Sequence, residues 1–235
     1  MPRAHEGREV AVPAQQTEVF MKLSRLTPKA TEINGNPVMG SNCYILIDEG
    51  EAAVIDPSVS ALEIMRILRA ENARLVKILL THGHADHLFG LDELRTLNPE
   101  AAVVAHADEA EIMSDGEKNA SSLVLGECRD YGMPDKRLIE GDIIEVGKGK
   151  IRVMHTPGHT KGSACYVLGN VIFSGDTVFA QGYGRCDLYS GNPQRLNMSL
   201  QKLKAHLQKH PKTIIYPGHG GPATLYSALN FIYNG

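Results

Sequence analysis

The apolar run "LVKILL" ends at Leu80 and is followed at once by "THGHADHL", which places His82, His84, Asp86 and His87 within six positions. No other feature restricts the fold as much. A short apolar run bounded by turn residues reads as a buried strand, and imidazoles crowded with a carboxylate at its end need a cation to justify their closeness. In an extended or loosely turned loop, residues two apart point the same way. His82 and His84 can therefore grip one ion while Asp86 and His87 reach a neighbouring point.

Three later candidates also follow strand-like runs: His159 in "TPGHTKGS", Asp176 in "FSGDT" and His219 in "YPGHGG". Ligands at four strand ends can converge on one rim. Gly83, Gly158, Gly175 and Gly218 flank them and are expected to permit the sharp turns that aim the side chains back over a sheet edge. Five histidines and two carboxylates suffice for two divalent ions. Nitrogen and oxygen donors without thiolate suit zinc first, with iron or manganese as alternatives, and Asp176 is the candidate bridge. His106, His155, His206 and His210 stand alone and read as ordinary hydrogen-bonded polar residues.

The chain of 235 residues is long enough to bury a sizeable core as one domain. Residues 1–20 mix Pro, Gln, Glu and Arg without periodicity and are expected to be a mobile N-terminal extension, with the folded domain over 21–235. Strand-like runs ("NCYILI", "AAVID", "AAVVAH", "IIEV", "ACYVL", "TIIYP") occur in series as well as alternating with helical patterns such as "SALEIMRILRAENA", where Leu62, Met65 and Leu68 recur at three-residue steps. That order favours a sheet-on-sheet core with outer helices. Residues 114–135 are the least regular and read as a loop or short helix over a cleft.

A formal charge of −3 and the lack of a polybasic stripe argue against a nucleic-acid partner. No window approaches the roughly 18 apolar residues of a membrane span, and the N-terminus has no apolar core of a leader peptide. Cys43, Cys128, Cys165 and Cys186 are scattered with no CxxC pair, as expected of free thiols in a reducing compartment. The expectation is a cytoplasmic protein acting on a small molecule, with no membrane partner.

"HGHADH" matches the HxHxDH motif of the metallo-β-lactamase superfamily, and the later His, Asp and His motifs match in order, so the chain resembles that family from Met21 onward. The resemblance implies an α/β fold, a four-layer αβ/βα sandwich with the metals at the edge between two sheets. It implies that His82, His84 and His159 hold one metal, that Asp86, His87 and His219 hold the other, and that Asp176 bridges. "AAVIDPS" also resembles a family strand end, implying that Asp56 orients a ligand imidazole; Asn42 is a candidate for a similar polar role.

"FAQGYGRCDLYSGN" looks like the GxGRTD loop of glyoxalase II-like hydrolases and the related persulfide dioxygenases, with Cys186 where Thr is usual. Lys161 in "GHTKGS" stands where Pro or a small residue is frequent. Tyr183, Arg185 and Lys161 are candidate substrate contacts, with Arg185 alternatively tied to Asp187. Glyoxalase II proper continues after the last motif His into a helical domain that contributes to glutathione binding, whereas here a short tail with one predicted helix follows His219, so glutathione recognition is not implied. The implied chemistry is that of a binuclear metal-dependent hydrolase. A metal-bridging hydroxide attacks a thioester or related acyl bond, and Asp86 is the catalytic carboxylate that orients it. No GxSxG elbow or Cys–His pairing offers another nucleophile. β-Lactam hydrolysis is disfavoured, because β-lactamases commonly lack a carboxylate at the Asp176 position. The alternative is a persulfide dioxygenase-like oxidoreductase with a single iron held by His82, His84 or an equivalent subset with His159 and Asp176.

Overall fold

The structure, a computed structural model, describes residues 10–14, 19–28, 31–33, 36–38 and 40–235. The first half of the chain runs β1 (Val10–Ala14), β2 (Val19–Leu26), β3 (Thr31–Ile33), β4 (Asn36–Val38), β5 (Cys43–Asp48), β6 (Glu51–Ile55), α1 (Ala61–Ala70), β7 (Arg74–Leu79), α2 (Leu91–Leu97), β8 (Ala102–His106), α3 (Ala110–Met113), α4 (Ser121–Leu125) and β9 (Lys136–Leu138). The second half runs β10 (Ile143–Val146), β11 (Gly149–His155), β12 (Ala164–Leu168), β13 (Val171–Gly175), α5 (Pro193–Lys209), β14 (Ile214–Pro217), β15 (Ala223–Thr224) and α6 (Leu225–Asn234).

These form a seven-stranded sheet in the order β1-β2-β5-β6-β7-β8-β9, a six-stranded sheet β10-β11-β12-β13-β14-β15, and the β3-β4 hairpin. Both large sheets are mixed: β6, β7, β8 and β9 run parallel, as do β13 and β14. Strand alternation explains why the strand sequences read as continuous apolar runs. On β5, Tyr44 and Leu46 face the inter-sheet core with Ile55, Leu79, Val153, Tyr166 and Phe173. Their neighbours Ile45 and Ile47 face the other way, onto Ile64, Leu68, Leu91 and Leu94 of α1 and α2. In the second sheet, Cys165 and Val167 pack against Leu196, Leu200 and Leu203 of α5. Each sheet is buried on both faces, which gives the expected αβ/βα sandwich.

One helix face departs from the expectation. Leu62 is 62% exposed, and the buried stripe of α1 is Ala61, Ile64 and Leu68, because a strict three-residue step drifts off a face that repeats every 3.6 residues. Of the expected N-terminal extension, residues 1–9 and 15–18 lie outside the described residues, while Val10–Ala14 is a strand paired antiparallel with β2. The 114–135 stretch contains α4 and braces the histidine loop, since the Ala85 amide donates to the carbonyl of Asn119 at 2.9 Å. Among the described residues no helix is long and apolar enough to cross a membrane, and all four cysteines are free.

Candidate metal centre

The strands β7, β11, β13 and β14 end at one rim, where cross-sheet hydrogen bonds stitch the sandwich shut. Tyr166 Oη donates to the Leu80 carbonyl at 2.7 Å, and the Ala164 amide to that of Thr81 at 2.9 Å. On the other side, Tyr44 Oη and Asn42 Nδ2 both donate to the Pro217 carbonyl, and the Asn42 amide to that of Gly218. Asn42 thus holds the backbone turn that carries His219.

Gly175 shows how tightly the rim is built. Its φ of +47° is a left-handed conformation, and a Cβ there would sit 2.4 Å from Thr81 Oγ1. At Gly218 the requirement is room rather than a special turn, since a Cβ would meet Asp176 Oδ1 at 2.2 Å.

Within this rim all seven expected donors meet. His82 Nε2 lies 3.1 Å from His159 Nε2, and His84 Nδ1 lies 2.9 Å from the same atom, so three nitrogens converge. Beside them Asp86, His87 and His219 form a second group, with Asp86 Oδ2 at 3.2 Å from His219 Nε2 and 3.7 Å from His87 Nε2. Asp176 stands between the two groups: its Oδ1 is 3.3 Å from His87 Nε2, and its Oδ2 is 3.7 Å from His159 Nε2 and 3.5 Å from His219 Nε2.

The surroundings fix the rings. Asp56 sits at φ +51°, turning its carboxylate inward to take the Thr81 amide and hydroxyl, and its Oδ2 is 2.9 Å from His87 Nδ1. His159 Nδ1 faces the main-chain carbonyl of Arg185 at 2.7 Å, leaving Nε2 for the centre. Glu109, fully buried, accepts from the Gly83 amide, the Gly162 amide and Thr160 Oγ1, and so ties the first histidine loop to the His159 loop; burial pushes its carboxyl up to about 7.

Electrostatics divides the two groups. Burial and neighbouring imidazoles hold His82 well below its ordinary value, and burial with His159 pushes His84 down to about 3, so these rings present lone pairs. Burial also lowers His87, but Asp86, Asp56 and Asp176 together outweigh it and hold that ring well above its ordinary value. Asp176 is depressed below the usual carboxylate range, the pull of His87, His219 and His159 exceeding the cost of burial.

His87 Nε2 and Asp176 Oδ1 are buried with no hydrogen-bond partner although they face each other. Orphaned atoms of this kind are costly unless a cation accepts their electron pairs. The two groups, all nitrogen and oxygen, fit a pair of divalent ions such as zinc, iron or manganese.

Of the side chains expected to touch substrate, two are tied to carboxylates of the chain. Arg185 forms a two-pronged ion pair with Asp187 at 2.7 Å, Lys161 pairs with Glu111, and Tyr183 is exposed. Residue 185 serves the site through its carbonyl, which a search for charged side chains does not find. Glu109 was equally invisible, as nothing in "HADEAEIM" marks that acid as the one turned inward.

A two-sheet sandwich with a binuclear centre at its open edge defines a class of metal-dependent enzymes. The profile of the metallo-beta-lactamase superfamily matches residues 36–219, and the chain belongs to that family. YqgX of Bacillus subtilis, described as a probable metallo-hydrolase, is 32% identical over 77% of this chain and 85% of its own. BaeB of Bacillus velezensis, described as a probable polyketide biosynthesis zinc-dependent hydrolase, is 34% identical over 77% of this chain and 74% of its own. The crystal structure of BLEG-1 B3 metallo-beta-lactamase superposes with a TM-score of 0.74 at 30% identity, covering 89% of this chain and 97% of that one.

Proposed function

We propose that this enzyme is a glyoxalase II-like hydrolase that cleaves a thioester or related acyl bond. The observation that carries the reading is the position of Asp176, whose carboxylate lies within 4 Å of imidazoles from both donor groups, together with a "GYGRCD" loop whose carbonyl at Arg185 orients His159. The zinc-dependent hydrolase description of BaeB supports hydrolysis and zinc.

In this reading His82, His84 and His159 would hold one ion and Asp86, His87 and His219 the other, with Asp176 within reach of both groups. Two such ions, when bound, lower the pKa of a water between them from about 16 toward 7 and polarise the carbonyl under attack. Asp86, partly exposed beside the buried His87, would accept a hydrogen bond from a water at the centre and orient it. Asp56 keeps His87 in a single tautomer, and the Arg185 carbonyl does the same for His159. A thiol of pKa about 8.5 leaves as thiolate with little need of a general acid, consistent with a centre whose titratable groups are taken up by the donor sets.

The test is elemental analysis of anaerobically purified protein, followed by a panel of thioesters, lactones, phosphodiesters and a β-lactam, the last included because of the likeness to BLEG-1. The reading predicts two ions per chain and thioester turnover that a chelator abolishes. One iron per chain with oxygen uptake on glutathione persulfide would replace it with the persulfide dioxygenase-like alternative.

A further inference from the structure

Strand β2 carries a charge where its pattern calls for an apolar residue. Its inner-face positions run Met21, Leu23 and Arg25; the first two are fully buried in the inter-sheet core, and the third reaches the point where the sandwich opens. Arg25 pairs in register with Tyr44, and its charge bears on the Tyr44 and Tyr216 phenols, opposing the rise that burial gives both. There it lines an open cavity of about 230 Å³ with Thr27, Pro28, Asn42 and His219, and it is the one Lys or Arg among the described residues that do so.

Arg25 is half-buried and has no hydrogen-bond or ion-pair partner among the described residues. The other two cations near the centre, Lys161 and Arg185, are each satisfied by a carboxylate of the chain. A partly desolvated guanidinium left without an anion is unfavourable by itself, and its fork matches a carboxylate in two-pronged geometry.

We infer that Arg25 is a specificity-determining residue that receives a carboxylate of the substrate, so that the acyl compounds this enzyme cleaves carry a negative charge away from the scissile carbonyl. This inference rests on the hydrolase reading above, which places His219, on the wall of the same cavity, in the metal centre.

The test uses the metal-loaded enzyme and its Arg25→Met and Arg25→Lys variants. The substrates are the S-ethyl thioester of glutarate, the same thioester of monomethyl glutarate, and the acetyl thioesters of 3-mercaptopropionate and of its methyl ester. Calorimetric binding of the uncleavable thioether 4-(ethylthio)butanoate and of its amide is measured in parallel. Arg25→Met is expected to raise KM about tenfold or more for at least one carboxylate substrate with kcat nearly unchanged. The neutral counterparts should stay within about twofold, and Arg25→Lys should recover part of the loss. Binding of the thioether acid, but not of its amide, should weaken in parallel. Equal losses for charged and neutral compounds, or unchanged binding of the acid in Arg25→Met, would overturn the role of Arg25. Absence of any thioester turnover by the wild type would instead overturn the hydrolase reading, while the binding comparison still decides the role of Arg25.

Discussion

Asp56 and His87 share a hydrogen bond of 2.9 Å inside the protein, and the other contacts of the same carboxylate lock it onto the amide and hydroxyl of Thr81. One acid therefore sets both the start of the histidine loop and the orientation of the ring at its end. Asp56→Ala is expected to weaken metal binding about 10- to 100-fold, in line with the loss of an orienting partner. Competition against a chromophoric chelator measures it, and a change under twofold would contradict this role.

Asp86→Ala should reduce turnover of the best thioester by at least about a hundredfold. Because Asp86 also belongs to the second donor group, the rate is to be read at saturating zinc with metal content determined on the same sample. Full turnover with both ions bound would show that Asp86 does not position the attacking water.

Gly175→Ala forces a side chain into a left-handed turn against Thr81. Strain and overpacking together should cost roughly 3 kcal/mol. Gly141→Ala is the control, with φ +85° but nothing within 4 Å of the added carbon, and should cost about 1 kcal/mol. Urea unfolding of the two variants separates contact from strain.

Removal of metal should lower the unfolding temperature, and added zinc should restore it. An ion present at about a thousand times its dissociation constant stabilises by roughly 4 kcal/mol. Calorimetry with and without chelator tests this; identical transitions would mean that the donor groups hold no ion.

His206 gives a pH dependence far from the centre. Burial, reinforced by the nearby His210, Arg152 and Lys209, pushes the ring down to about 4 from an ordinary 6.5. The unfolded chain therefore takes up this proton first on acidification. The stability in question is complete above pH 6.5 and is lost as the pH falls toward 4. The loss is on the order of 2 kcal/mol. His206→Leu should gain on the wild type by that amount between pH 7 and pH 4, as measured by urea unfolding of chelated protein, and a constant difference would refute the assignment.

Much of this was legible in the sequence for a simple reason. Strands buried on both faces, such as Cys43–Asp48 and Ala164–Leu168, read as unbroken apolar runs, and donors at strand ends follow those runs directly. What was not legible depends on partners distant in the chain. Nothing local shows that Asp56 bends into a left-handed turn, that Arg185 acts through its carbonyl, or that Glu109 faces inward. Even His106 and His155, each solitary in sequence, stack with ring centroids 3.8 Å apart, because β8 and β11 end side by side across the seam. The outward Leu62 misled because a stripe on a helix repeats at a non-integer step.

The seven donors are divided between the halves of the chain: four come from the Thr81 loop, and His159, Asp176 and His219 come from the second sheet. The last of them follows β14, near the C-terminus. During synthesis, therefore, the His82, His84 and His159 group is made whole before His219 emerges, so the two donor groups are completed one after the other.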